Sequence, residues 1–224
     1  MDRLESLTAA EVVAEQLQNA GAACITCSFQ AEDMVVLDLV RKVRPDIPVL
    51  FLETGYHFAE TYAYRDRYAA LWNLNVVNLL PKTTLAEHEA QFGKLYQTKP
   101  TECCQIRKVE PLFRGLSDYK IWFTGLRREQ SPTRANLKKV ETHILPDGKA
   151  LAKVSPVADW TNKDVWAYCK ANNIEFLPLY DRGFTSIGCE PCTVLPVDPN
   201  NPRSGRWAGA GKVECGIHTF SEKA

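Results

Sequence analysis

One cysteine near the end of the chain has the surroundings of a reactive thiol. Cys215 stands in the stretch Lys-Val-Glu-Cys-Gly-Ile-His at 212–218. Cationic neighbours stabilise the thiolate, which is the nucleophilic form of cysteine, and the adjacent glycine gives the backbone freedom to move the sulfur. A free thiol in a frayed terminus is the alternative, because chain ends are often poorly ordered.

The other seven cysteines fall into two groups. Three lie in apolar stretches with strand or helix periodicity, which predicts burial in the core: Cys24, Cys27 and Cys169. The remaining four form two pairs, Cys103-Cys104 and Cys189-Glu-Pro-Cys192. Two pairs of thiols predict a metal site, for which zinc and an iron–sulfur cluster are the candidates. Cys215 is then left free for chemistry.

Composition and charge exclude several classes of protein. The 224 residues include 27 lysines and arginines and 27 acidic residues, so the net charge is zero. This balance argues against general binding of nucleic acids or membrane surfaces. An apolar run of 18 residues and a signal-peptide pattern are both lacking, so we expect a cytoplasmic protein. The oligomeric state stays open, a homo-oligomer included.

Apolar strands alternate with amphipathic helices along most of the chain. Strands are predicted at 22–29, 48–54, 76–80 and 120–125, and a hairpin at 140–154. Helices are predicted at 8–20, 30–43, 55–72, 102–116 and 161–172. Continuously apolar strands are typical of a parallel sheet covered on both faces. The predicted fold is therefore a single α/β domain at 1–200, with a mostly parallel, twisted sheet flanked by helices, followed by a flexible tail at 201–224 that carries Cys215.

Ligands of such sheets bind at the carboxyl ends of the strands. Ser28, Thr54 and Gly55 follow two of the predicted strands and are candidate substrate-binding residues. Basic residues cluster near the strand ends and the cysteines: Lys99, Arg107, Lys108, Arg127, Arg128, Arg134, Arg203, Arg206 and Lys212. Together they predict a phosphorylated or sulfated substrate.

The motifs of this chain resemble those of assimilatory adenylyl-sulfate (APS) reductases. The stretch Thr-Glu-Cys-Cys-Gln-Ile-Arg-Lys-Val-Glu-Pro-Leu at 101–112 looks like the family signature Cys-Cys-x-x-Arg-Lys-x-x-Pro-Leu. Further matches lie at 52–56, 124–131, 186–193, 203–207 and 214–218. The related 3′-phosphoadenylyl-sulfate (PAPS) reductases keep the Glu-Cys-Gly-Ile/Leu-His tail but typically lack the two cysteine pairs. The resemblance is therefore to the cluster-bearing branch.

The resemblance implies a fold like that of the adenine nucleotide alpha hydrolases and a set of site residues. Cys103, Cys104, Cys189 and Cys192 would ligate one [4Fe–4S] cluster, and Cys215 would be the nucleophile. The phosphosulfate would be held by Lys108, Arg134, Arg203, Arg206 and His218. Leu52 and Gly125 would contact the nucleotide through their backbones. The implied reductant is a thioredoxin or a glutaredoxin-like protein.

Other functions remain open at this point. A PAPS reductase or a dual enzyme is the nearest alternative. An ATP pyrophosphatase-like nucleotidyl enzyme would share the fold, but the turn at 28–33 lacks the expected glycine-rich Ser-Gly-Gly-x-Asp-Ser loop. A zinc-binding module without enzymatic activity is the third.

Overall fold

A single mixed sheet organises the protein. The computed structural model describes residues 3–18, 21–198, 201–212, 214, 216 and 217. The strands are β1 (Ala23–Thr26), β2 (Pro48–Leu52), β3 (Asn75–Leu79), β4 (Ile121–Phe123), β5 (Val140–Ile144) and β6 (Ala150–Val154). Within the described residues they form a six-stranded sheet in the order β3-β2-β1-β4-β6-β5. The pairs β1–β2, β1–β4, β2–β3 and β4–β6 are parallel, and β5 is antiparallel to β6. The predicted α/β fold with a mostly parallel sheet is confirmed.

Helices alternate with the strands along the chain. They are α1 (Arg3–Ser6), α2 (Ala9–Gln18), α3 (Ala31–Val43), α4 (Ala59–Leu71), α5 (Leu85–Phe92), α6 (Leu95–Thr98), α7 (Pro100–Cys104), α8 (Glu110–Leu116) and α9 (Asn162–Ala171). A π-helix, Gln105–Val109, joins α7 to α8. In the described part of the chain, no helix is long and apolar enough to cross a membrane.

Alternating residues of the central strands pack into two separate apolar cores. Ile25 and Phe51 pack into a core that includes residues of α2, α3, α4 and α9. Cys24 and Leu50, one position earlier in each strand, pack into a second core with Leu112 of α8. Because successive side chains of a strand point to opposite faces, the middle of the sheet is covered on both sides.

Three features differ from the sequence-based expectation. The strand β3 is an edge strand, exposed along most of its length, so it is not buried on both faces as predicted. The predicted helix at 102–116 is interrupted by the π-helix. The helix α5 was missed, although Thr84 and Glu87 form a capping box at its start, with Glu87 N donating to Thr84 Oγ1 over 3.2 Å. A Thr-x-x-Glu spacing is a known start signal for helices.

Candidate active site

A cavity of about 600 Å³ lies at the carboxyl ends of the central strands. Its lining includes Ser28 after β1, Leu52 at the end of β2 and Gly125 after β4. The strand β1 has β2 on one side and β4 on the other, so the chain reverses its direction of travel across the sheet here. Such a switch point is where open α/β sheets bind ligands.

The turn from β1 into α3 is held by the carboxylate of Asp33. Its Oδ2 accepts hydrogen bonds from Ser28 N at 2.7 Å and Ser28 Oγ at 2.5 Å, and its Oδ1 accepts one from Gly125 N at 3.1 Å. Burial, with a further contribution from the charge of Glu32, raises the pKa of Asp33 to about 6. Asp33 thus ties the ends of β1 and β4 together at the floor of the cavity.

Two backbone features make this turn possible. Phe29 adopts a left-handed conformation with φ 61°, which residues other than glycine rarely do. Its buried ring packs edge-on against Phe51, with the ring centroids 5.9 Å apart, and this packing anchors the unusual conformation. A Cβ on Gly125 would lie 2.8 Å from the backbone nitrogen of Asp33. Only glycine therefore lets the end of β4 approach α3 this closely.

The basic side chains that line the cavity are Lys108, Arg127, Arg134, Arg203 and Arg206, and the four other than Arg127 are called the basic wall here. Arg206 is 9% exposed, donates from Nη1 to the carbonyl of Ile187 over 3.0 Å and lies over the ring of Trp207. A Cβ on Gly188 would come within 2.0 Å of Arg206 Nη2, so glycine makes room for the guanidinium. The Nε atoms of Arg134 and Arg206 are buried and find no hydrogen-bond partner among the described residues. This wall is suited to an anion.

The described part of the tail returns to this basic wall. Arg134 Nη2 donates to Glu214 Oε2 over 2.8 Å, and Arg203 Nη2 donates to the same oxygen over 3.2 Å. Lys212 Nζ donates to the carbonyl of Pro100 over 3.1 Å and lies over the ring of Trp207. Residues on both sides of Val213 are thus attached to the body of the protein.

The two cysteine pairs lie together beside the cavity. Cys103, Cys104, Cys189 and Cys192 line one small recess, together with Lys108 and Trp207, which also line the large cavity. Burial and the charges of the other three thiols together raise the pKa of Cys103 to about 12, while Lys108 opposes the shift. Burial and Cys189 raise the pKa of Cys192 to about 11. Four thiols so close together resist ionisation unless a cationic centre compensates their charge.

Neighbouring groups hold this recess in place. Thr54 Oγ1 lies 3.3 Å from Cys189 Sγ, within hydrogen-bonding distance of a sulfur. The buried Arg107 of the π-helix donates from Nε to the carbonyl of Thr54 over 2.6 Å. Across the described residues, no three His, Cys, Asp or Glu side chains are arranged to hold a single metal ion. The thiols therefore gather from two segments without converging on one ion position.

The phosphoadenosine phosphosulfate reductase domain family matches residues 22–195 of this chain. The chain belongs to this family. It is 46% identical over 188 residues to an adenosine 5′-phosphosulfate reductase of Mycolicibacterium smegmatis, covering 84% of this chain and 78% of the relative. It is also 46% identical to a protein of the same name from Geobacillus kaustophilus, covering 86% of this chain and 81% of the relative. The crystal structure of a phosphoadenylyl-sulfate reductase from Candida auris, a phosphate complex, superposes with a TM-score of 0.75 at 25% identity, covering 86% of this chain and 93% of that one.

Most of the substrate-binding residues predicted from the sequence lie at the cavity of this reductase-family fold. Seven of the predicted substrate-binding residues line the cavity: Ser28, Leu52, Lys108, Gly125, Arg134, Arg203 and Arg206. Thr54 and Gly55 are placed differently from the prediction. Thr54 turns towards the cysteines, and Gly55 lies beside Arg107 with φ 76°. Neither residue lines the cavity. Cys215 and His218 lie outside the described residues.

The three predicted core cysteines are buried. Cys24 and Cys169 are 0% exposed and Cys27 is 2% exposed. Cys24 and Cys27 belong to the two different apolar cores, as expected for residues three apart near a strand.

Three residues of the site were not predicted. Asp33 stands in the first turn of α3, where a carboxylate usually indicates a favourable interaction with the helix dipole rather than a link between two strands. Gln30 accepts from Ile187 N over 2.9 Å and so links the β1 turn to the loop that precedes Cys189. Glu214 is adjacent to Cys215. It contacts Arg134, which is 80 residues away in the sequence, and local sequence patterns do not predict such a contact.

Proposed function

We propose that this protein is an APS reductase, which reduces adenylyl sulfate to sulfite and AMP with electrons from a thioredoxin or a glutaredoxin-like protein. The observation that carries the proposal is the cavity between the strand ends and the basic wall, in a chain 46% identical to adenosine 5′-phosphosulfate reductases. The protein is thus an oxidoreductase that acts on a sulfur group in sulfate assimilation, and its sulfite would supply cysteine biosynthesis in the cytoplasm.

The two walls of the cavity suit the two halves of the substrate. The nucleotide would lie at the strand ends, against the backbones of Leu52 and Gly125 and beside Ser28. Because Gly125 N already donates to Asp33, its carbonyl is the group left for the nucleotide. The phosphosulfate would lie against the basic wall, where buried guanidinium groups retain unpaired Nε–H donors. Such donors gain most from an anion that is taken out of water with them.

Cys215 would act as the nucleophile. Its thiolate attacks the sulfur of the sulfate group, the bond between that sulfur and the bridging oxygen breaks, and AMP leaves with the electron pair. The product on the enzyme is S-sulfocysteine, a covalent intermediate that divides the reaction into two easier steps. The basic wall offsets the repulsion between the anionic thiolate and the anionic substrate.

A thiol of the reductant completes the cycle. It attacks the sulfur of Cys215, sulfite leaves, and a mixed disulfide forms that the second thiol of the reductant resolves. The chain's own Cys24, Cys27 and Cys169 are buried in the apolar cores and cannot reach this sulfur. We propose that the tail at 201–224 closes over the nucleotide for the first step and opens to the reductant for the second.

The four gathered thiols fit a [4Fe–4S] cluster. Each thiolate of such a cluster binds a different iron, so the four sulfurs need not converge on one ion position. When bound, such a cluster would place charge beside Lys108. Lys108 lines both the recess and the cavity, so its ammonium group can respond to the cysteine site while it contacts the substrate.

Intact-mass analysis after incubation with APS tests the proposed nucleophile. The wild-type protein should gain one sulfonate-sized adduct, and Cys215→Ser should gain none. Cys169→Ser serves as the matched control, because it removes a thiol from the core and should keep the adduct. An adduct on Cys215→Ser would show that another residue is the nucleophile.

The choice between APS and PAPS rests on a second measurement. The structural likeness to a PAPS reductase supports PAPS as the alternative substrate, whereas the relatives at 46% identity favour APS. Turnover of the two nucleotides at equal concentration should favour APS, and a clear preference for the 3′-phosphorylated nucleotide would overturn the proposal. Iron and sulfide analysis tests the cluster, since a colourless protein with stoichiometric zinc and no iron would indicate a zinc module instead.

A further inference from the structure

The carboxylate of Glu214 occupies the basic wall that the proposed function assigns to the substrate anion. One of its oxygens, Oε2, accepts from both Arg134 and Arg203, at 2.8 and 3.2 Å. Its other oxygen accepts from Thr133 Oγ1 over 3.4 Å. The side chain is 8% exposed and lines the cavity. An oxygen shared by two guanidinium groups is also how an oxygen of a phosphate or sulfate group is commonly held.

The Nη2 donors of Arg134 and Arg203 that hold Glu214 cannot hold a second anion at the same time, although the buried Nε of Arg134 has no partner among the described residues. Arg134 uses Nη1 for Gln130 and Nη2 for Glu214, and its side chain is 10% exposed. Arg203 is 18% exposed. In such a poorly hydrated site, two anions that share the same donors repel each other strongly. The phosphosulfate and the carboxylate of Glu214 therefore compete for these donors.

We propose that Glu214 is an internal anion that competes with the substrate for Arg134 and Arg203 and is displaced when the nucleotide binds. The identity of the incoming anion rests on the proposed function. Because Glu214 directly precedes Cys215 in the sequence, its displacement frees the chain that leads to the predicted nucleophile. The same two arginines thus exchange Glu214 for the substrate anion, and the chain next to Cys215 becomes free to close over the nucleotide, which makes Glu214 a positioning residue.

Binding measurements with Glu214→Gln test this competition. The amide keeps the shape of the side chain and removes its charge. By isothermal titration calorimetry, AMP and inorganic sulfate should bind the variant about tenfold more tightly than the wild type, the change expected when one charged hydrogen-bond partner no longer competes. Adenosine, which has no anion, should bind both proteins equally. Glu175→Gln is the matched control, since it removes a carboxylate from a surface ion pair with Arg67 and should leave all three affinities unchanged.

The outcomes separate this inference from the proposed function. Equal or weaker binding of AMP by Glu214→Gln would overturn the competition, because a carboxylate that merely holds the arginines in place should help the ligand. Glu214→Ala repeats the test without an amide, and the same tightening is expected. If AMP and adenosine bind neither protein while sulfate binds the variant more tightly, the competition stands and the nucleotide part of the proposed function fails.

Discussion

Replacement of Asp33 by asparagine should remove part of the pH dependence of the free energy of unfolding. Asp33 is half-buried, and its pKa is raised from 3.8 to about 6, mainly by the loss of water around the carboxylate. A carboxyl group whose pKa is higher in the folded protein binds protons more readily there than in the unfolded chain. Its contribution to the free energy of unfolding therefore rises as the pH falls from above 6 towards 3.8 and is lost in the opposite direction.

The size of the effect follows from the two pKa values. At pH 5 the group is one unit below its folded pKa and still above its unfolded pKa. The free energy of unfolding of the wild type should thus gain about 1.4 kcal/mol between pH 7.5 and pH 5 from this group alone. Asp33→Asn cannot titrate, so it lacks this gain. At pH 7.5 the amide also leaves one of the donors of Asp33 without an acceptor, so a comparison at a single pH would mix two effects.

Urea unfolding, followed by circular dichroism at several pH values, measures this difference. The free energy of unfolding of the wild type minus that of Asp33→Asn should increase by about 1.4 kcal/mol from pH 7.5 to pH 5. Asp164→Asn is the control, because hydrogen bonds from Thr161 lower the pKa of this exposed carboxyl group. Its pKa values in the folded and the unfolded state therefore both lie below pH 5. The free energy of unfolding of the wild type minus that of Asp164→Asn should not change between pH 7.5 and pH 5. A flat difference for Asp33→Asn as well, or a decrease, would refute the raised pKa of Asp33.

Three further substitutions test the packing around the site. Gly188→Ala should weaken AMP binding about tenfold, because the new Cβ displaces the guanidinium of Arg206, while the melting temperature should barely change. In an Arg206→Ala background, the same substitution should cause no further loss of AMP affinity. Gly125→Ala should lower the free energy of unfolding by about 1–3 kcal/mol in urea experiments, because the backbone of Asp33 must move. An unchanged free energy of unfolding would contradict the close approach of β4 to α3. Thr161→Ala should cost about 1 kcal/mol in the same assay through the lost helix cap of α9, with AMP binding unaffected.

Much of the fold could be predicted from periodicity alone. The central strands are apolar because both of their faces are covered, and the start of α9 is marked by Thr161 and Asp164, whose capping bonds are local. The edge strand β3 was predicted to be as buried as the others, because Val76 and Val77 resemble core residues. Position at the edge of a sheet depends on strand order, which the sequence of one strand does not contain.

The site could be predicted in part for a similar reason. Ser28 and Gly125, each two residues after a central strand, line the cavity because topology alone brings these strand ends together. Thr54 stands equally close to the end of β2, but its hydroxyl lies beside Cys189, and the strand pattern does not distinguish the two cases. The attachment of Glu214 to Arg134 joins segments that are far apart in the sequence, and only the folded arrangement reveals it.

The π-helix at Gln105–Val109 places a constraint on chain length. A π turn holds one more residue than the α-helical turn it replaces, and it is less favourable for the backbone. Deleting one residue here would convert the π turn into a regular α-helical turn, and Cys103-Cys104 and α8 would keep their relative orientation. Because Leu112 and Leu116 fix α8 in the core at 0% exposure, the change would fall on the residues within the turn, which include Arg107 and Lys108. The extra residue of this turn therefore sets where Arg107 and Lys108 stand relative to the cysteine pair.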